Sequence, residues 1–250
     1  MLKIRPIPAF QDNYIWLIQN GNHVAVVDPG DALSVISTLQ NENLTLDAIL
    51  ITHHHNDHIG GVQSLLKEYQ TQVFAPANEH FDFTHQDVRE NDLIQLPNLK
   101  LNLSVIDIPG HTNGHVAYYG LNHLFCGDTL FGGGCGRLFE GTYEQLFNSL
   151  NKLAALPDET LIYCAHEYTE HNLRFASLVD SKNLALINRI DITKKVRASN
   201  KPSLPSSIGL EKETNPFLRC DDQLITSALG LQAPDPIAVF KTLRDMRNNF

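Results

Sequence analysis

Long apolar runs are missing from this 250-residue chain, and none approaches the roughly 18 to 20 residues that a membrane span needs, so a membrane protein is not expected. The opening residues, Met1-Leu2-Lys3-Ile4-Arg5-Pro6-Ile7-Pro8, lack the charged, then apolar, then small-residue layout of a secretory signal. The expected compartment is the cytoplasm. Cysteine is scarce: Cys126, Cys135, Cys164 and Cys220 form neither a C-x-x-C motif nor a dense disulfide framework, and reduced thiols packed as small apolar groups are expected. Positive charge is also in deficit, with 19 Lys and Arg against 28 Asp and Glu for a net charge of −9, which argues against a phosphate backbone as the substrate. Neither a Gly-x-Ser-x-Gly elbow nor a protease-like cysteine signature is present, so a side-chain nucleophile of those kinds is not expected.

What remains is ordinary soluble composition, 42% apolar and 19% charged, on a chain long enough for one large domain or a medium domain with an appendage. A monomer is expected. Short β runs open the chain at Lys3 to Ile7, Asn13 to Ile18 and His23 to Val27, the last closed by the turn Asp28-Pro29-Gly30. Helical spacing over Ala32 to Gln40 precedes a strand at Leu46 to Ile51 and a second helix over Gly61 to Tyr69. Further strands are expected at Leu101 to Ile108, His115 to Tyr119, Leu124 to Cys126 and Thr160 to Cys164, with a helix at Tyr143 to Leu153. From about Tyr168 the pattern turns helical and more polar, with helices at Asn183 to Ser199 and Pro236 to Asn248 joined through the Pro/Ser-rich Lys201 to Ser207. A domain boundary is expected near Glu167.

Between the Leu46 strand and the Gly61 helix lies Thr52-His53-His54-His55-Asn56-Asp57-His58. Residues two apart in extended backbone point the same way, so His53 and His55 can converge on one point before the chain turns to present Asp57 and His58 to a second. Imidazole with carboxylate suits zinc, iron or manganese rather than calcium. The competing reading is a polar surface loop. Three later residues count against it, because His111, Asp128 and His166 each follow a strand where a turn can aim them back at the loop. Seven ligands then divide between two metals: His53, His55 and His111 on one, Asp57, His58 and His166 on the other, with Asp128 bridging.

Thr-His-x-His-x-Asp-His followed by single His, Asp and His at these intervals resembles the metallo-β-lactamase superfamily over residues 1 to 166. The resemblance implies an α/β fold, the αββα sandwich with metals at one edge, and two divalent ions per chain, zinc first, with iron or manganese compatible. Two such cations share a bridging water, lower its pKa and polarise a carbonyl or phosphoryl oxygen. Asp57 and Asp128 are the residues expected to orient the resulting hydroxide. The other histidines, His23, His54, His80, His85, His115, His123 and His171, receive structural readings.

Three further segments are similar to the glyoxalase II family, also called hydroxyacylglutathione hydrolases: Gly133-Gly134-Cys135-Gly136-Arg137-Leu138-Phe139-Glu140-Gly141-Thr142, Ala165-His166-Glu167-Tyr168-Thr169, and Arg244-Asp245-Met246-Arg247-Asn248-Asn249-Phe250. That resemblance implies a catalytic part, 1–166, and a helical glutathione-binding part, 167–250. It implies a small-molecule partner, S-D-lactoylglutathione or another S-2-hydroxyacylglutathione, cleaved to glutathione and D-lactate in the second step of methylglyoxal detoxification. Arg137, Phe139, Tyr168, Arg244 and Arg247 are the implied substrate-binding residues, the cations clamping the carboxylates of glutathione. Arg244 and Arg247, spaced i and i+3, have a competing reading as the solvated face of a helix.

Two departures stand out. Arg137 and Phe139 replace the Lys and Tyr of many family members, and Arg247 replaces the commoner Lys of Arg-x-x-Lys. Among rivals, a phosphodiesterase or ribonuclease of the same fold would bring a basic surface. A class B β-lactamase would place cysteine where Asp128 stands. A one-iron persulfide dioxygenase would not need Asp57, His58 and His166 together, and a flavin-dependent di-iron protein would need sequence room that is not there.

Overall fold

The computed structural model of the protein describes residues 2–232 and 235–250. It divides into two compact units: the chain up to Asp107 with Asn113–Gly127, and Ile108–Thr112 with Asp128–Phe250. The first unit opens with a meander of β1 (Lys3–Ala9), β2 (Asn13–Asn20) and β3 (His23–Val27), in register from Lys3↔Gln19 to Ala9↔Asn13 and from Trp16↔Val27 to Asn20↔His23. α1 (Ala32–Glu42) then carries the chain back to β4 (Thr45–Leu50), which lies parallel to β3. This helix starts where the Asp31 carboxylate accepts the backbone N–H groups of Leu33 and Ser34, and it stops at Asn43, whose φ of 52° is left-handed.

α2 (Asn56–Ile59) and α3 (Val62–Glu68) lead to β5 (Gln72–Pro76), and β6 (Gln86–Val88) completes a sheet ordered β1-β2-β3-β4-β5-β6. Parallel neighbours require a crossover, and α1 and α3 supply the first two. Val35, Leu39, Val62 and Leu65 of these helices pack with Ile15, Leu17, Val24, Val26, Ile49 and Ile51 of the sheet. β7 (Leu93–Leu96), β8 (Leu101–Asp107), β9 (Val116–Gly120) and β10 (His123–Gly127) form a second, antiparallel array. It lies against the first sheet, since the buried Tyr118 hydroxyl of β9 donates to the Ile51 carbonyl at 2.6 Å. Helices, sheet and sheet are therefore layered within this one unit.

The second unit contains β11 (Leu130–Phe131) and β12 (Gly134–Cys135), a glycine hairpin, followed by α4 (Tyr143–Ala154) and β13 (Leu161–Cys164). After these come α5 (Thr169–Val179), α6 (Leu184–Ala198), β14 (Ser206–Ser207), α7 (Ile208–Thr214), α8 (Gln223–Ala228) and α9 (Pro236–Asn248). A capping box joins Thr142 and Gln145 at the start of α4, and Asp235 with Pro236 starts α9. Phe147, Phe217 and Phe240 form its aromatic core, with ring centroids 5.6 and 5.9 Å apart.

The expected helices are present with ends shifted by at most two residues, and the four cysteines are buried thiols. Lys201 to Ser207, expected as a plain connection, ends in β14, which pairs with β13 through Leu161↔Ser207. The short strands β5, β6 and β7 were not anticipated; β6 spans three residues and contains the exposed Asp87, too little for a period to register. Among the described residues, no helix is long and apolar enough to cross a membrane.

A buried ion pair holds the second unit together. Glu211 is 0% exposed, and its carboxylate accepts from Arg189 at 2.5 Å, from the Gly133 N–H at 2.8 Å, from Asn215 Nδ2 at 3.0 Å and from the Ser206 hydroxyl. Removing one partner of such a pair leaves a buried charge uncompensated, at about 3–5 kcal/mol. Glu211→Ala is accordingly expected to lose about that much stability in chemical denaturation, and a loss below about 1 kcal/mol would show that Arg189 is compensated elsewhere.

Candidate metal centre

Four of the seven expected ligands sit in the first unit, just beyond β4. His55 takes the N-cap position of α2 with φ −63° and ψ 144°, so extended chain gives way to a helical turn and presents Asp57 and His58. Nε2 of His53 approaches Nδ1 of His55 to 3.0 Å, and Nε2 of His58 lies 3.4 Å from Asp57 Oδ2. A charge-assisted hydrogen bond would be about 2.7–2.9 Å long. Two donor atoms on one tetrahedral ion with bonds of about 2.0–2.1 Å stand about 3.3–3.4 Å apart; the Asp57–His58 pair is at that spacing and the His53–His55 pair, at 3.0 Å, is inside it.

The other three lie in the second unit, at strand ends and turns. His111 Nε2 is 3.4 Å from Asp128 Oδ2, and His166 Nε2 is 3.3 Å from Asp128 Oδ1. Asp128 thus turns a different oxygen toward each histidine, again at the spacing of co-ligands. That is the disposition a carboxylate shared between two ions requires.

A layer of hydrogen bonds sets which ring nitrogen His53, His58 and His111 offer. Asp28, at the end of β3, accepts from the Thr52 N–H at 2.8 Å and the Thr52 hydroxyl at 2.7 Å, and its Oδ2 is 3.0 Å from His58 Nδ1. The Thr52 hydroxyl, having given its proton to Asp28, is left to accept from His53 Nδ1 at 3.0 Å. His111 Nδ1 meets the Arg137 carbonyl at 2.8 Å. In each ring Nδ1 is committed as donor, which leaves the Nε2 lone pair for a metal. Asn13 Nδ2 donates to Asp57 Oδ2 at 2.9 Å and orients that carboxylate. Oxygens of Asp28 also fall within 4.8 Å of His53 and His58 donor atoms, but with three hydrogen bonds already made Asp28 orients ligands rather than acting as one.

Close packing brings these groups together. A Cβ on Gly30 would lie 1.8 Å from the Asp57 carbonyl oxygen. At Gly127, whose φ is +48°, it would lie 2.3 Å from the Thr52 hydroxyl. His115 stacks on His53 with centroids 4.5 Å apart, and His54 Nδ1 reaches Glu79 at 3.0 Å.

The residues expected to bind substrate all belong to the second unit. Tyr168 lies parallel to the His166 ring, centroids 4.7 Å apart, and Phe139, 64% exposed, meets the His111 ring edge-on at 5.2 Å. Arg137 has an exposed side chain. Arg247 is half-buried, and its pKa is lowered to about 10 by burial first and then by repulsion from Arg244 and Arg137. Arg247 therefore lies in a positive field set by two neighbouring guanidiniums, which attracts an anion. Arg244 is only 2% exposed, donating to the Cys135 and Gly136 carbonyls at 2.8 and 3.3 Å and lying over the Phe217 ring, so the solvated-face alternative fails for it.

The family model for the metallo-beta-lactamase superfamily matches residues 10–166, and that for the hydroxyacylglutathione hydrolase C-terminus matches 167–250. The chain is 54% identical to the hydroxyacylglutathione hydrolase of Methylobacillus flagellatus and 49% identical to that of Nitrosomonas eutropha, in both cases over all of each protein. The chain belongs to the hydroxyacylglutathione hydrolase family. Among solved structures it is similar to ETHE1 from Myxococcus xanthus (25% identity, TM-score 0.67, 99% of this chain and 98% of that one). It is also similar to the BLEG-1 B3 metallo-beta-lactamase (26%, TM-score 0.64, 88% and 100%). The expected fold is thereby established, and with it the His/Asp clusters mark a divalent-metal centre.

Sequence reading missed Asp28, taken only as part of a turn, and also Asn13 and Asn172. The one available signal was an aspartate closing a strand in a chain whose next strand ends in histidines. Asp28→Ala is expected to weaken zinc binding about 10- to 100-fold, measured by competition with a chromogenic chelator; unchanged affinity would reduce Asp28 to a structural bridge.

Proposed function

We propose that the chain hydrolyses S-D-lactoylglutathione and other S-2-hydroxyacylglutathiones to glutathione and the free 2-hydroxy acid, using two divalent ions. Support for the substrate comes from one observation above all: the likeness to hydroxyacylglutathione hydrolases runs through residues 167–250, which include Tyr168 and Arg247. On this reading His53, His55 and His111 would hold one ion and Asp57, His58 and His166 the other, with Asp128 available to either. Zinc is the first assignment, with iron and manganese compatible with the same donors. Bound there, the ions would supply Lewis-acid activation of water and of the thioester carbonyl.

The protein's own groups do the positioning. Asp28 and Thr52 hold the His53 and His58 tautomers, while Asp57 and Asp128 orient the water that attacks the carbonyl carbon. The water gives up a proton as its oxygen bonds to the carbonyl carbon, the C–S bond then breaks with its electron pair leaving on sulfur, and that proton goes to the thiolate or to solvent. A glutathione thiol has a pKa of about 8.5, so the thiolate departs with little need of a general acid. Arg137 and Arg247 face the glutathione carboxylates, Tyr168 and Phe139 line the substrate site, and Arg244, expected in the same clamp, supports it through the hairpin carbonyls to which it donates. The catalytic part is assigned to 1–166 and glutathione binding to 167–250, acting as a monomer in the cytoplasm.

Steady-state assays on lactoylglutathione, a phosphodiester and a β-lactam, with metal analysis of the same sample, are expected to show turnover of the thioester alone and about two ions per chain. Asp128→Ala is expected to abolish turnover and reduce metal content together. Retention of both would sink the shared-ligand assignment, and preference for the phosphodiester would sink the substrate.

A further inference from the structure

Asn172 is buried in α5, one turn beyond Tyr168, whose carbonyl accepts its N–H at 2.8 Å. Its side-chain oxygen accepts two bonds from Arg247 of α9, from Nε at 3.3 Å and Nη2 at 3.0 Å. The amide nitrogen donates to the Gly132 carbonyl at 3.1 Å, in the hairpin that leads into Arg137. One amide therefore ties two cation-bearing segments together. A Cβ added at Gly134 would lie 2.6 Å from this amide, so the amide packs directly against the hairpin backbone and glycine is required there.

Arg247 has a second support. Its guanidinium carbon lies 5.9 Å from the centroid of Phe250, within cation–π range, and that ring is braced by His171 at 5.2 Å and Phe175 at 5.7 Å. Among the described residues Arg247 donates only to Asn172, which leaves Nη1 for a ligand. The choice of holder has a consequence: a carboxylate would grip the guanidinium more firmly but cancel its charge, whereas a neutral amide fixes it and leaves the charge available.

We propose that Asn172 is a positioning residue that fixes the spacing between Arg247 and the hairpin leading to Arg137, with Phe250 as the support beneath Arg247. This rests on the reading of those cations as the glutathione clamp. Asn172 and Phe250 act on substrate affinity through Arg247, and neither touches the reacting thioester.

A double-mutant cycle tests it, with steady-state kinetics on lactoylglutathione for the wild type, Arg247→Ala, Asn172→Leu, Phe250→Ala, and each of the last two combined with Arg247→Ala. Asn172→Leu, neutral and nearly isosteric, and Phe250→Ala, at a site 48% exposed, are chosen so that the fold survives and no new charge meets Arg247. Arg247→Ala and Asn172→Leu are each expected to raise KM about 5-fold or more, and Phe250→Ala about 2- to 5-fold, with kcat held within about twofold. In the Arg247→Ala background neither should add to KM, whereas with Arg247 present Phe250→Trp should keep KM near the wild-type value. Unchanged KM in the singles, or the same rise with and without Arg247, would overturn the positioning role. An inactive wild type would instead overturn the proposed substrate, and this inference with it, so the two failures are distinguishable.

Discussion

The carboxylate of Asp28 is the constraint on which the histidine loop depends. It sits where β3 ends beside β4, adjacent parallel strands paired through Val27↔Leu50, and it spans the gap between them by accepting from Thr52 twice and meeting His58. Charge-assisted bonds of this kind contribute about 1.5–3 kcal/mol each, and in a buried site the loss of any one leaves a donor stranded. The same atoms that join two strands therefore fix the tautomers of His53 and His58. Stability and ligand chemistry cannot be separated here. The field of Asp28 reaches the second sheet as well, where burial foremost and this charge next push the Tyr118 pKa well up, keeping its hydroxyl protonated as a donor to Ile51.

The second unit repeats the device with a different carboxylate. Glu211 is as deeply buried, and it holds the N–H of Gly133 while orienting Asn215, whose amide donates to the Phe131 and Gly134 carbonyls. Arg244 takes the Cys135 and Gly136 carbonyls from the other side. A hairpin this rich in glycine has little side-chain packing of its own to fix it, and the buried polar network supplies the order that packing cannot.

How much of this was legible in the sequence follows from how local each signal is. His53, His55, Asp57 and His58 announce themselves by spacing, because alternation and a turn act over a few residues. His111, Asp128 and His166 are legible as residues that follow strands, an inference that needs only the strand ends. Asp28 is not, since its partners are 24 and 30 positions away and an aspartate before Pro-Gly reads equally well as a turn. Asn172 and Glu211 are likewise defined by partners brought in by the fold, at separations of 75 and 78. Arg244 illustrates the limit from the other direction: i and i+3 spacing puts it on the same face as Arg247, but only packing against Phe217 and the hairpin decides that one is buried and the other half-buried.

The two departures at Arg137 and Phe139 also take on a definite meaning. At position 137 the group that meets His111 is the backbone carbonyl, at 2.8 Å, while the side chain is exposed. A change from Lys to Arg therefore alters the cation presented to solvent without touching the bond that sets the His111 tautomer. Phe139 contacts His111 by its ring edge, a contact that a tyrosine ring would make equally, so what the sequence gives up there is a hydroxyl in a 64% exposed position. Losing an exposed hydroxyl strands no buried partner, which is the costly half of a lost hydrogen bond. The two departures thus fall on exposed side chains that can tune recognition of a ligand, whereas what holds His111 and His58 here is a backbone carbonyl and the buried Asp28 carboxylate.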